Sequence, residues 1–159
     1  MEKYPMKKVA VVLSGCGFLD GSEITEAIGT LIALSEAGAQ VSCFAPNEKI
    51  SATAHAGGHG EGESRNALGE AARIARGQIQ DLRELGEKNF DAVVFPGGYG
   101  AAKVLSNWAS AGAAAKVHPE VSRVLKEFHK ANKPIGAICI APTLVAKVLG
   151  SEGVTLTIG

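Results

Sequence analysis

Val9-Ala10-Val11-Val12-Leu13 runs without a polar residue and stops at Ser14-Gly15-Cys16-Gly17. A continuous β-branched run of this kind suits a strand buried on both faces, as parallel sheets require, because a strand with one wet face would alternate. Downstream, Ile24, Ala27, Ile28, Leu31, Ile32 and Leu34 recur at helical spacing between Glu23 and Ala37, with Gly38 placed to cap the end. Residues 41–45 give a second short strand, ended by Pro46. The alternation returns with a strand over 90–95, broken by Pro96-Gly97-Gly98, and a helix opened by Pro119 and running to Ala131. It closes with a strand over 135–138, a helical stretch from Ile140 to Leu149, and a last strand over 154–158. Strands alternating with helices demand crossover connections. The expected fold is therefore a flavodoxin-like, doubly wound, mostly parallel sheet flanked by helices, an α/β/α sandwich. Residues 47–64 lose all periodicity and read as a long loop, with Ser64 placed to cap a helix running to Arg76.

The length of 159 residues favours one domain over residues 1–159. Sixteen basic side chains balance sixteen acidic ones, so the chain carries no electrostatic footprint for nucleic acid or an anionic membrane. No apolar run reaches the roughly 18 residues of a membrane span, and residues 1–8 lack the apolar core of a secretory signal. Three widely spaced cysteines make neither a disulfide framework nor a zinc cluster. A reducing, intracellular setting is expected: cytoplasm, or a mitochondrial or other organelle matrix.

In doubly wound sheets, ligands bind at the carboxyl ends of the strands. Four segments meet there: 14–17, 46–66, 96–100 and 139–142. Within KPIGAICIAP (133–142), Cys139 falls between strand and helix. A sharp turn with small neighbours presents such a side chain outward, and a helix N-terminus favours thiolate over thiol. The alternative is a small hydrophobe closing a buried strand. Gly97 and Gly98 form a glycine turn at the same sheet edge, whose N–H groups could hold an oxyanion beside the N–H of Ile140.

Together these residues carry a resemblance. Pro-Gly-Gly after one strand and Gly-Ala-Ile-Cys-x-x-Pro after a later one resemble the PfpI superfamily, which shares its fold with class I glutamine amidotransferases. LSGCGFLDGSEITEA (13–27), ESRNALGEAARIARG (63–77) and FPGGYGAAKVLS (95–106) are similar to its ElbB branch, and the likeness covers nearly the whole chain. The superfamily pairs its cysteine with a carboxylate on the first helix, and the register selects Glu26 over Glu23. A carboxyl group hydrogen-bonded to a thiolate must itself hold a proton. Protease-like members place a His directly after the cysteine; Ile140 stands there in this chain, which argues against peptidase and ammonia-donor chemistry. The resemblance also implies a longer C-terminal region and a homodimer.

Other candidates are weaker. Cys16 is expected to line the Cys139 pocket, and Arg65 with Asn66 to hold a substrate carboxylate or carbonyl from a helix start, with a surface salt bridge as the competing reading for Arg65. His55 and His59, with Glu61 and Glu63, lack the fixed spacing of a metal site, so no metal is expected. His55 alone is a candidate to reach the site on the long loop. Cys43 reads as core, Lys103 as pocket rim or solvent-facing, and Trp108 as packing on the sheet edge.

The resemblance implies a cofactor-independent, glyoxalase-type enzyme. Cys139 would add to a small 2-oxoaldehyde such as methylglyoxal or glyoxal, giving a hemithioacetal. Gly98 and Ile140 would hold the oxyanion, Gly97 would shape the turn, and Glu26 would move the proton. The alternative is a non-catalytic, redox-sensing or regulatory protein with an oxidisable Cys139.

Overall fold

The computed structural model describes residues 5–57 and 61–157. Its central sheet has five parallel strands. These are β1 (Lys8–Val12), β2 (Gln40–Ala45), β5 (Ile79–Asp81), β6 (Ala92–Phe95) and β7 (Ile135–Ala137), in the spatial order β5-β2-β1-β6-β7. A hairpin of β3 (Lys49–Thr53) and β4 (Glu61–Asn66) forms a separate two-stranded sheet. The helices are α1 (Ile24–Glu36), α2 (Ala67–Ile74), the short α3 (Tyr99–Lys103) and α4 (Trp108–Ala111), α5 (Pro119–Lys130) and α6 (Pro142–Leu149).

Alternate residues of one strand point to opposite layers, and β1 shows this directly. Val11 and Leu13 pack with Ala27, Leu31 and Leu34 of α1 and with Ala71 and Ile74 of α2. Ala10 and Val12 face Val121, Val124, Leu125 and Phe128 of α5 and Leu144, Val145 and Leu149 of α6. The four α5 residues sit at i, i+3, i+4 and i+7, one stripe of a helix. The apolar run of β1 is continuous because both faces of the sheet are covered. The flavodoxin-like expectation holds.

Three local expectations need correction. The segment expected as a loop over 47–64 holds two paired strands: Lys49 pairs with Asn66, Ile50 with Arg65 and Ser51 with Ser64 across an antiparallel hairpin, with a bulge before Thr53. Ser64 lies in that hairpin, and Asn66 caps α2 instead, its side chain accepting from Gly69 N at 2.9 Å. The fifth strand of the sheet is Ile79–Asp81, paired in parallel with β2. Residues 154–157 form no strand; Val154 is partly buried against the core, and β7 pairs only with β6 among the described residues. Among those residues, no helix is long and apolar enough to cross a membrane.

Candidate active site

Three adjacent strands, β1, β6 and β7, deliver their carboxyl-end loops to one place. The loop after β1 and the glycine turn after β6 are locked together. Glu23 N donates to Gly97 O at 2.9 Å, Tyr99 N to Phe18 O at 2.7 Å and Gly100 N to Gly21 O at 2.8 Å. Lys103 Nζ adds a bond to Leu19 O at 2.7 Å. This closeness is what the glycines permit. Gly98 has φ +97°, and a Cβ there would strike the backbone of Gly21, Ser22 and Glu23.

Cys139 follows β7 at φ +60°, one of three non-glycine residues in the left-handed region among those described. Such a conformation costs energy for a side-chain-bearing residue and persists where the surroundings enforce it. Here Ile138 N donates to Phe95 O and Ala141 N closes a turn onto Ile138 O, both at 3.0 Å. The strand therefore ends in a sharp elbow before Pro142 opens α6, and the thiol is exposed. It faces a cavity of about 450 Å³ lined by Phe18, Glu23, Gly98, Tyr99, Trp108, Cys139, Ile140 and Thr143. Among the described residues, neither Gly98 N nor Ile140 N has a protein acceptor. Both residues line the cavity that holds the thiol, an arrangement able to stabilise negative charge on an oxygen bound there.

The two acidic candidates on α1 have separate places. Glu23 caps the helix, its carboxylate accepting from Glu26 N at 2.7 Å, and it forms part of the cavity wall. Glu26 reaches the glycine turn, where Oε2 accepts from Gly97 N at 2.9 Å. A Cβ on Gly97 would collide with that same Oε2 and would lie 2.5 Å from Cys139 Cβ. Gly97 thus leaves open the space between the Glu26 carboxylate and Cys139.

The other candidates fall elsewhere. Cys16 is half-buried and lines two different cavities, an apolar groove between α1 and α2 and a small polar one beside the hairpin. Burial chiefly, and then the Glu70 carboxylate, pushes its thiol up; Arg73 opposes this and Asp20 adds to it. Arg65 pairs with Glu63 at 2.6 Å and Glu70 at 3.4 Å. Asn66, besides capping α2, donates to Asn47 Oδ1 at 2.9 Å. None of the three lines the Cys139 cavity. His55 Nδ1 meets Thr53 O at 2.9 Å and Nε2 accepts from Leu19 N at 3.4 Å, while its ring stands edge-on to Phe18. It sits behind the cavity wall. His59, the second residue of the metal reading, lies outside the described residues. Cys43 is buried in β2, as expected, and burial pushes its thiol up.

Sequence reasoning missed the aromatic wall. Phe18, Tyr99 and Trp108 are far apart in the chain and follow no shared period, and Trp108 was expected at the sheet edge. The only signal was position: Phe18 and Tyr99 each follow a glycine in a carboxyl-end loop.

Comparison with known proteins agrees with this fold. The family model described as DJ-1/PfpI matches residues 7–158. A human protein named glutamine amidotransferase-like class 1 domain-containing protein 3, mitochondrial, is 56% identical over 157 residues, covering 98% of this chain and 58% of the relative. The zebrafish (Danio rerio) ES1 protein, mitochondrial, is 42% identical, with 93% of this chain and 57% of the relative covered. The chain thus spans somewhat over half the length of these curated relatives. Among solved structures, an Ehrlichia chaffeensis isoprenoid biosynthesis protein with an amidotransferase-like domain superposes with a TM-score of 0.86 at 41% identity. That match covers 91% of this chain and 69% of the other.

Proposed function

The chain belongs to the DJ-1/PfpI family, and on that premise we propose that it is a glutathione-independent glyoxalase of the ElbB-like branch, acting on small 2-oxoaldehydes through Cys139. One observation carries this reading: an exposed thiol on a strained elbow shares a cavity with two N–H groups, of Gly98 and Ile140, that have no protein acceptor among the described residues. The 41% identical Ehrlichia protein supports the branch.

The chemistry follows from those groups. Cys139 Sγ bonds to the aldehyde carbon, and the carbonyl oxygen takes the negative charge opposite the two amides. The proton on that carbon is then removed and returned to the neighbouring carbonyl carbon through an enediol, giving a hydroxyacyl thioester. Glu26, across Gly97 from the thiol, carries the proton. Water cleaves the S–C bond and releases the hydroxy acid and the free thiol. The aldehyde carbon is oxidised to the carboxylate level while its neighbour is reduced to the alcohol, so the sum is 2-oxoaldehyde plus water to hydroxy acid. No external oxidant, reductant or cofactor enters. A peptidase or ammonia donor is disfavoured because Ile140 stands where a His would follow the nucleophile.

Lactate formation from methylglyoxal without glutathione tests the reading. The parent is expected to turn over, the Cys139→Ala variant to show none, and Glu26→Gln to lose on the order of a hundredfold in kcat. A parent without activity, or an alanine variant equal to it, sinks the proposal.

The exposure of Cys139 also supports a second reading, oxidation to sulfinic acid in a redox-sensing protein. Peroxide titration followed by mass spectrometry tests it, and resistance of Cys139 to oxidation ends it. Homodimerisation belongs to the same proposal, with sedimentation equilibrium as its check. The names of the human and zebrafish relatives support a mitochondrial location.

A further inference from the structure

The Cys139 cavity is built for more than a three-carbon aldehyde. Phe18, Tyr99 and Trp108 are three of only eight aromatic residues in the chain, and all three line it, with Ile140 beside them. Its volume of about 450 Å³ falls in the range of roughly 300–1,000 Å³ typical of small-molecule sites and leaves room for a substituent larger than methyl. Charge points the same way. Among the described residues, Glu23 is the only charged side chain lining the cavity, and no Lys or Arg does. The nearby cation, Lys103, is held by Leu19 O at 2.7 Å and stands 5.5 Å from the Tyr99 ring centroid. Arg65 is paired with Glu63 and Glu70 beside a different cavity. A substrate carboxylate would therefore enter a wall without a counter-charge and face Glu23, whereas an uncharged ring would stack on the aromatic wall.

We propose that this cavity selects 2-oxoaldehydes bearing an uncharged aromatic or comparably bulky apolar substituent, over methylglyoxal and over anionic carbonyl compounds. The selectivity rests on the reading of Cys139 as the nucleophile, and Tyr99 and Glu23 determine it. Tyr99 supplies a stacking face, and Glu23 repels anions. For phenylglyoxal the balanced reaction is the one above: thiolate addition, proton transfer between the two carbons, and hydrolysis of the thioester to mandelate.

The test uses the 159-residue chain and two readouts. The first is kcat/KM for phenylglyoxal to mandelate and for methylglyoxal to lactate. An aromatic contact worth about 0.5–1.5 kcal/mol beyond burial corresponds to a preference of up to about tenfold. Phenylglyoxal is expected to lead by about that factor, and Tyr99→Ala to bring the two within about threefold, which separates the cavity's contribution from the aldehydes' own reactivity. The second readout is binding, followed by fluorescence of Trp108, the chain's single tryptophan, in the Cys139→Ala variant with unreactive probes. Acetophenone is expected to quench saturably, acetone and benzoate not, and a further Glu23→Gln substitution to admit benzoate. Equal kcat/KM for the two aldehydes in the parent, a preference untouched by Tyr99→Ala, or benzoate binding as well as acetophenone overturns the inference. Absence of hydroxy acid from both aldehydes while acetophenone still binds selectively overturns the Cys139 chemistry and leaves the cavity's selectivity standing.

Discussion

At the scale of single residues, the site depends on what is absent at position 97. An alanine there would place its Cβ against the Glu26 carboxylate, 2.5 Å from Cys139 Cβ and 2.9 Å from Ile138 O. Overpacking of this kind costs about 1–3 kcal/mol. Gly97→Ala is expected to lower the thermal midpoint by several degrees and to cut turnover at least about tenfold, because its Cβ would push apart Glu26 and Cys139, the two groups proposed to act together. Calorimetry alongside the lactate assay checks both, and an unchanged midpoint with unchanged rate contradicts the packing described. The three thiols differ as sharply. Cys139 is exposed, Cys16 half-buried and Cys43 buried, and the last two are further restrained because burial favours their neutral forms. Timed alkylation with peptide mapping should modify Cys139 first, then Cys16, then Cys43; early loss of Cys16 or Cys43 would contradict this exposure. Cys139 stood out in the sequence because a buried strand gives way there to a small-residue turn, a place that also suits a small hydrophobe, and the PfpI resemblance favoured the thiol as a functional group. The N–H groups of Gly98 and Ile140 were expected beside it because both turns fall at the same sheet edge. The partners of Arg65 and Asn66 were not, since Glu63, Glu70 and Asn47 meet them through a hairpin whose pairing leaves no period in the sequence.

At the scale of elements, long amphipathic or doubly buried segments declared themselves and short edge segments did not. β1, α1 and α5 carry enough apolar residues at fixed spacing to be read directly. β3 has one buried residue, Ala52, so strand alternation never develops. β5 is three residues long at the sheet edge, and α3 and α4 are five and four residues long. Residues 154–157 misled because alternation shows only that a segment could be a strand, not that a neighbouring strand offers it an edge; residue 158 of that expected strand lies outside the described residues. Two predictions belong here. Gly29 lies inside α1, and a Cβ there meets nothing within 4 Å. Gly29→Ala should therefore stabilise the chain by about 0.5–1 kcal/mol, read as a rise in the denaturant midpoint, and a fall would mean this face of α1 is covered. At the end of β5, hydrogen bonds from the Arg83 side chain hold the Asp81 carboxyl at about 2, against the opposing effect of burial. Unfolded, it titrates near about 4. The stability it contributes is fully present above that value and is lost as pH falls through about 2. Asp81→Asn should thus lower the thermal midpoint at pH 6 and leave a shallower decline between pH 4 and 2; parallel curves for parent and variant would contradict the pairing.

At the scale of the whole molecule, the fold explains why one thiol acquires its surroundings. The β1 and β6 loops interlock through backbone hydrogen bonds, and the β7 elbow closes onto them, so the cavity wall is assembled from segments more than a hundred residues apart in sequence. The architecture was legible because alternation of strands and helices permits few arrangements. The aromatic lining was not, because it depends on which loops meet rather than on any local pattern. The central claim is that this assembly makes Cys139 the nucleophile toward a 2-oxoaldehyde. It is tested most directly by alkylating the chain in graded steps, quantifying modified Cys139 by mass spectrometry and measuring glutathione-free lactate formation from methylglyoxal at each step. The account predicts a rate that falls in proportion to the unmodified Cys139 fraction and extrapolates to zero. A rate that survives full modification of Cys139, or an unmodified chain that forms no lactate, would contradict it.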